Sequence, residues 1–383
     1  AVAAAAAGSA VGAGRMYIDG IFKITSAQSY GDRIHIYGDG PEDSALVFTI
    51  TSGVALEFNN TPGSFDANVK MTGFRIEGPG KASGTAVGLQ IEGAVWTNSI
   101  FRDLVVTQFG SHGVYVKDAL TANLQEIYSN NNGGDAFVIE QSNGIRLYAC
   151  MAESCNGKGY NWTNTGTAGE KYAPAMVECH AEENIGDAVF AQQTVGLQII
   201  GSWIQVSSPS GATSAAAIRL DQTVKVQLMG LQISTGGTTT NLIGLSLEGA
   251  SGTRCVSVNF DQFQANRDVI ADASAVSNLV AFCTGSGAQG QVSYTDANGA
   301  TSTNVVIDTF GSTSNRGYES RAVRHSLRKV DGTEILRVAD RVQFMNHTTA
   351  TSASAGGATA LPATPTGYVL LNVNGTDRYF AFY

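Results

Sequence analysis

At 383 residues the chain is longer than one compact core usually holds, with 45 glycines and only 14% charged residues. That composition suits turn-dense β structure and excludes a helical or disordered chain. A net charge of −9 gives no general attraction to phosphate backbones, so nucleic acid is not an expected partner.

Taken in order, the chain opens on AVAAAAAGSAVGAG, which reads as a short alanine-rich helix; it has no positive n-region and is not read as a signal peptide. The segments Gly14–Ala27 and Asp32–Phe48 follow as short strands around glycine turns. A protruding loop is expected at Asn59–Asn68. From Gly88 the sequence repeats itself: GLQIEGA, GVYVKDA, AFVIEQS, GYNWTNT, AVFAQQT, AIRLDQT and GLSLEGA start at residues 88, 113, 136, 159, 188, 217 and 244. Their spacing of 25, 23, 23, 29, 29 and 27 residues, with alternating apolar positions, predicts a parallel β-solenoid. Such a unit buries its apolar face only when the next coil is laid on it, and solenoids grow in one dimension, so length alone does not force several globular domains.

Alternation assigns the inward set of the first strands as Val114/Val116, Phe137/Ile139, Tyr160/Trp162, Ile218/Leu220 and Leu245/Leu247. Insertions at Asn164–Pro174 and Val206–Ala215 lengthen two coils. The repeat fades after Ile270, and Ser326–Val338 reads as a hairpin with an Asp-Gly turn. The tail closes on a second hairpin around Asn374-Gly375, ending in aromatic residues. Cys150, Cys155, Cys179, Cys255 and Cys283 are odd in number and lack metal-ligand spacing. Stacked free thiols filling the core are expected, which implies folding in a reducing compartment, and no metal or cofactor is implied. No apolar run approaches the roughly 18–20 residues that cross a bilayer, so no membrane partner is expected.

The opening strands, with the turn Tyr37-Gly38-Asp39-Gly40, resemble the N-terminal cap and first coils of the pectate-lyase-like β-helix superfamily, which includes bacteriophage tailspikes and polysaccharide depolymerases. Ile18-Asp19-Gly20 departs from the proline-containing turn usual there. The tail, with Pro365, Gly367-Tyr368 and Val373-Asn374-Gly375-Thr376, is similar to the C-terminal trimerisation region of phage tail fibres and tailspikes.

The resemblance implies an all-β, right-handed parallel β-helix with an N-terminal capping helix and a C-terminal β trimerisation region. On that reading residues 1–52 form the cap and first rungs, 53–288 the β-helix and 289–383 the trimerising region. It further implies a homotrimer in the virion tail, joined to the phage particle through a missing N-terminal domain and acting on a bacterial surface polysaccharide, capsule or O-antigen.

Aligning the second runs of three successive coils places Glu126, Ala149 and Glu178 in one outward column, Tyr128, Met151 and His180 in the next, and Asn130, Glu153 and Glu182 in a third. Glycoside cleavage needs one carboxyl protonated and another ionised, and neighbouring like charges separate their titrations. Glu153, Glu182, Glu178 and Glu126 are therefore the candidate catalytic acids, with His180, Tyr128, Asn130 and Lys158 as substrate-binding candidates. Glu153 and Glu182, one rung apart, stand near the separation of a retaining pair, and Glu126 and Glu178, two rungs apart, near that of an inverting pair; side-chain reach leaves the outcome open. Outward acids also serve simply to keep a solenoid solvated. Asp221/Glu248 and Glu92/Glu140 form similar outward pairs on the first strands, while Trp96 and Trp203 fall near coil corners, where an indole could offer a sugar-stacking face.

Gly110-Ser111-His112-Gly113 and Asp135 resemble polygalacturonase motifs only in part: the order is wrong and the second aspartate is absent. The acidic patch favours hydrolysis. Lys158, Lys171 and Arg146 keep β-elimination open, and a non-catalytic glycan-binding adhesin is the rival class.

Overall fold

The structure, a computed structural model, describes residues 14–31, 34–59, 69–93, 99–164, 174–207, 215–236, 241–264, 267–285, 292–297 and 304–311, and the backbone of five later strands. The expected capping helix, Trp96, Lys171 and most of the three expected insertions lie outside the described residues. Among the described residues there is no helix, and none is therefore long and apolar enough to cross a membrane.

The chain winds as the repeat predicts. One coil runs through Phe137–Glu140, Arg146–Tyr148 and Met151–Glu153. Each of these strands pairs in parallel with its successor one coil on: Tyr160–Thr163, Ala175–Val177 and His180–Glu182. First strands stack into an 11-stranded sheet; second and third strands belong together to a 22-stranded sheet. In the three coils of Lys70–Glu77, Ile100–Thr107 and Asn123–Asn130 the second and third strands are continuous.

Alternation places the core as expected. Val114, Val116, Phe137, Ile139, Tyr160, Trp162, Ile218, Leu220, Leu245 and Leu247 are all buried. The rings of Phe137 and Tyr160 stack at 5.0 Å between centroids, and the Tyr160 hydroxyl reaches Cys150 O at 2.7 Å and His180 O at 2.9 Å. All five cysteines are free and buried, with Cys150 and Cys179 facing each other across the rung. Burial and the neighbouring Cys179 sulfur push the Cys150 thiol well above its ordinary range.

Corners are turned by single residues in the left-handed region. Between second and third strands these are Glu126, Ala149, Glu178, Gly201, Gly230, Ser257 and Phe282, with φ of 48–62°. Side-chain amides replace the missing ladder bonds at other corners: Asn132 Oδ1 accepts from Phe109 N at 3.0 Å, and Asn184 Oδ1 from Cys155 N at 3.1 Å. The small residue that opens each repeat has a steric cause, since a Cβ at Gly113 would stand 2.1 Å from Ser129 Oγ.

Past the coils the geometry changes. Val305–Gly311 pairs in parallel with the last coil and antiparallel with Val323–Arg328, which pairs antiparallel with Glu334–Val338. Gly367–Val373 and Thr376–Phe382 form a separate two-stranded antiparallel sheet. Both expected hairpins are thus present in the backbone.

Candidate active site

Parallel pairing fixes which outward side chains meet. Tyr128, Met151, His180 and Trp203 are register partners on successive coils, as are Asn130, Glu153 and Glu182. The columns expected from the sequence are therefore present, and Trp203 continues the first of them instead of sitting at a corner.

On this ladder each polar group has a neighbour one coil or one pleat away. Tyr128 donates its O–H to Glu153 Oε2, and Asn130 Oδ1 accepts the Thr107 hydroxyl. Burial, then this bond to Glu153, pushes the Tyr128 phenol up to about 12. His180 Nε2 lies 3.3 Å from Glu182 Oε2, without the alignment of a hydrogen bond. Burial lowers the His180 pKa against the pull of Glu182 and Glu153, so the ring is neutral at pH 7. The ring packs on Trp203 at 4.2 Å between centroids and a 34° tilt. Trp203 remains 39% exposed and donates Nε1–H to Ser234 at 3.3 Å. An aromatic surface open to solvent thus adjoins two carboxylates one rung apart, about 4.8 Å along the ladder.

Three sequence-derived candidates lie elsewhere. Glu126 and Glu178 occupy the exposed left-handed corners themselves, before the third strand that carries Glu153 and Glu182. There Glu178 accepts a hydrogen bond from the Tyr148 phenol, which this bond raises, with Glu126 as a further neighbouring charge. Lys158 turns to the first-strand face: its backbone N–H donates to Asp135 Oδ1 at 2.7 Å and its ammonium sits 3.8 Å over the Phe190 ring.

That first-strand face carries its own polar groups, and they are largely engaged with one another. Tyr115 donates to Glu140 Oε2 at 2.5 Å, Asn161 Nδ2 to Asp135 Oδ2 at 2.7 Å, and Asp135 N–H to His112 Nδ1 at 3.1 Å. Arg219 binds Asp187 through Nε at 3.0 Å and also pairs with Glu248. Gln192 donates to Asp221 Oδ2 at 2.7 Å, and Lys117 lies 3.7 Å from Glu92. Asp221, Glu248, Glu92 and Glu140 are therefore ladder ties. His112 and Asp135 stack on adjacent coils, a juxtaposition that the rejected motif did not foretell.

Among the described residues no cluster of three or more His, Cys, Asp or Glu side chains is arranged to hold a metal ion.

No family model and no curated protein matches the sequence. Solved structures do match the fold. The A-module of the Azotobacter vinelandii mannuronan C-5 epimerase AlgE4 superposes with a TM-score of 0.61 at 15% identity, covering 80% of this chain and 89% of that one. The Dettilon tailspike protein gives 0.55 at 13% identity, covering 86% and 72%, and the ORF18 protein of Geobacillus virus E2 gives 0.51 at 13% identity, covering 98% and 80%. The chain thus shares its coiled β architecture with a polysaccharide-modifying epimerase module, a tailspike and a viral protein.

Proposed function

We propose that this protein is a phage tailspike that recognises and cleaves a bacterial surface polysaccharide, capsule or O-antigen, by glycoside hydrolysis on the third-strand ladder. The observation that carries the reading is the open Trp203 ring packed at a tilt on neutral His180 beside the adjacent carboxylates of Glu153 and Glu182. An exposed indole offers a sugar its apolar face, and paired carboxylates supply the acid and the nucleophile or base that cleavage requires. One carboxyl protonates the leaving glycosidic oxygen. The other attacks the anomeric carbon as its bond to that oxygen breaks, water assisted by the first residue then hydrolyses the glycosyl ester, and the one-rung spacing favours this retaining course.

Elimination is less well served by this patch. The Tyr128 phenol, raised to about 12 with its proton held by Glu153, is poorly placed to serve as a base, and the Lys158 ammonium is on the other face.

Incubation with capsule or O-antigen from the host bacterium tests the reading. Reducing ends without absorbance near 235 nm support hydrolysis. Both signals together indicate elimination, and binding with neither indicates an adhesin.

A further inference from the structure

We propose that a cleft on the outer face of the last coils binds the anionic group of an acidic polysaccharide, as a subsite separate from the carboxylate ladder. The cleft has a volume of about 640 Å³, within the range of small-ligand sites. Gln227, Arg254, Leu279 and Val305, which stack in register on four successive coils, form one wall. Lys225 and Ser277, at the neighbouring left-handed corner, form the other.

Its described lining carries charge of one sign. Among the described residues two cations line it and no aspartate or glutamate does, in a chain of net charge −9. Elsewhere Arg75, Lys117 and Arg219 each lie against a carboxylate. Among the described residues neither Lys225 nor Arg254 has such a partner. Two exposed cations held in one concave site without counter-charge attract an anion. The guanidinium fork of Arg254 suits a planar carboxylate or a phosphate, and Lys225 adds a point charge. Leu279 and Val305, the latter 39% exposed, give the C–H face of a sugar ring an apolar wall, and Gln227 offers its hydroxyls an amide. The coil that carries Gln227 stacks directly on the coil that carries Trp203, so one extended glycan chain can engage both places.

The choice of a glycan as ligand rests on the function proposed above; the anion preference rests on the cleft alone. Isothermal titration with hexagalacturonate, its methyl-esterified form and inorganic phosphate tests it on the full chain and on the Lys225→Gln/Arg254→Gln variant. The acid oligomer should bind at least tenfold more tightly than the ester, and the double variant should lose that difference while keeping its circular dichroism. Phosphate binding as tightly as the oligomer would mean an ion site with no sugar specificity and overturn the proposal. So would equal binding of acid and ester, no binding of the acid oligomer, or discrimination that survives the double substitution. Binding is read without turnover, so a failure here is distinguishable from a failure of the cleavage assay.

Discussion

At the residue scale the functional reading stands on Glu153 and Glu182. Replacing either by glutamine keeps size and hydrogen bonding but removes the titrating proton, and should lower kcat by about 10²–10⁴ with little change in KM. Trp203→Ala should instead raise KM, since it removes binding surface. Full activity in both glutamine variants would rule this ladder out as the site. Two half-buried histidines also predict a pH dependence of stability. Burial sets the folded pKa of His180 and His112 below the ordinary 6.5, so between those values the unfolded chain binds more protons. Stability should therefore be greatest above pH 6.5 and decline as pH falls below it, before the carboxylates titrate. Urea midpoints at pH 8, 6.5 and 5 should show this slope, and His112→Asn/His180→Asn should flatten it. The columns carrying Glu153, Glu182 and His180 were legible because period and parity alone decide which residues stack and face outward. Trp203 was read as a corner residue with a sugar-stacking face, yet it stands on the strand: Gly201-Ser202-Trp203 aligns with Glu178-Cys179-His180, and the corner glycine was the available signal. Lys158 was misplaced because a linear coil map does not show the turn through 154–159 that carries it onto another face.

At the scale of the element, corners and cross-coil ties decide stability. Ala149 holds φ of 48° where later coils use Gly201 and Gly230. The left-handed region costs a non-glycine residue roughly 1–2 kcal/mol, so Ala149→Gly should stabilise the protein by up to about 1 kcal/mol in chemical denaturation, after the glycine's own entropy cost. Repeat spacing reveals where a corner falls; it does not reveal the sign of φ there, which is why Glu126 and Glu178 read as ordinary outward strand residues. Arg219 is the opposite case, a tie whose removal is costly. Burial opposes its charge, but Asp187 and Glu248 outweigh it and raise its pKa. Asp187 is 10% exposed and also accepts the Ala216 N–H at 2.7 Å. Arg219→Ala leaves that buried carboxylate without its counter-ion and should cost about 3–5 kcal/mol. Adding Asp187→Asn should recover much of the loss; no recovery would show that the arginine stabilises chiefly by packing.

For the whole molecule, stacking explains both what the coils accomplish alone and what they leave undone. Each coil covers the edge of the one before, so the solenoid protects its backbone everywhere but at its ends. The antiparallel strands from Val323 to Gln343 extend one end, and the sheet of Gly367–Val373 with Thr376–Phe382 pairs with no other strand among the described residues. A two-stranded sheet is marginal in water, and both its edges offer unpaired N–H and C=O groups. Three copies brought together about a common axis would bury those edges, which supports the homotrimer implied by the tail sequence. Light scattering on the eluting protein should accordingly give the mass of three 39.9-kDa chains. Deleting residues 344–383 should release monomers that keep the β-sheet circular dichroism of the coils, because the parallel ladders end before that point. A full chain that elutes as a monomer, or a truncated one that stays trimeric, would show that the terminal strands do not hold the copies together.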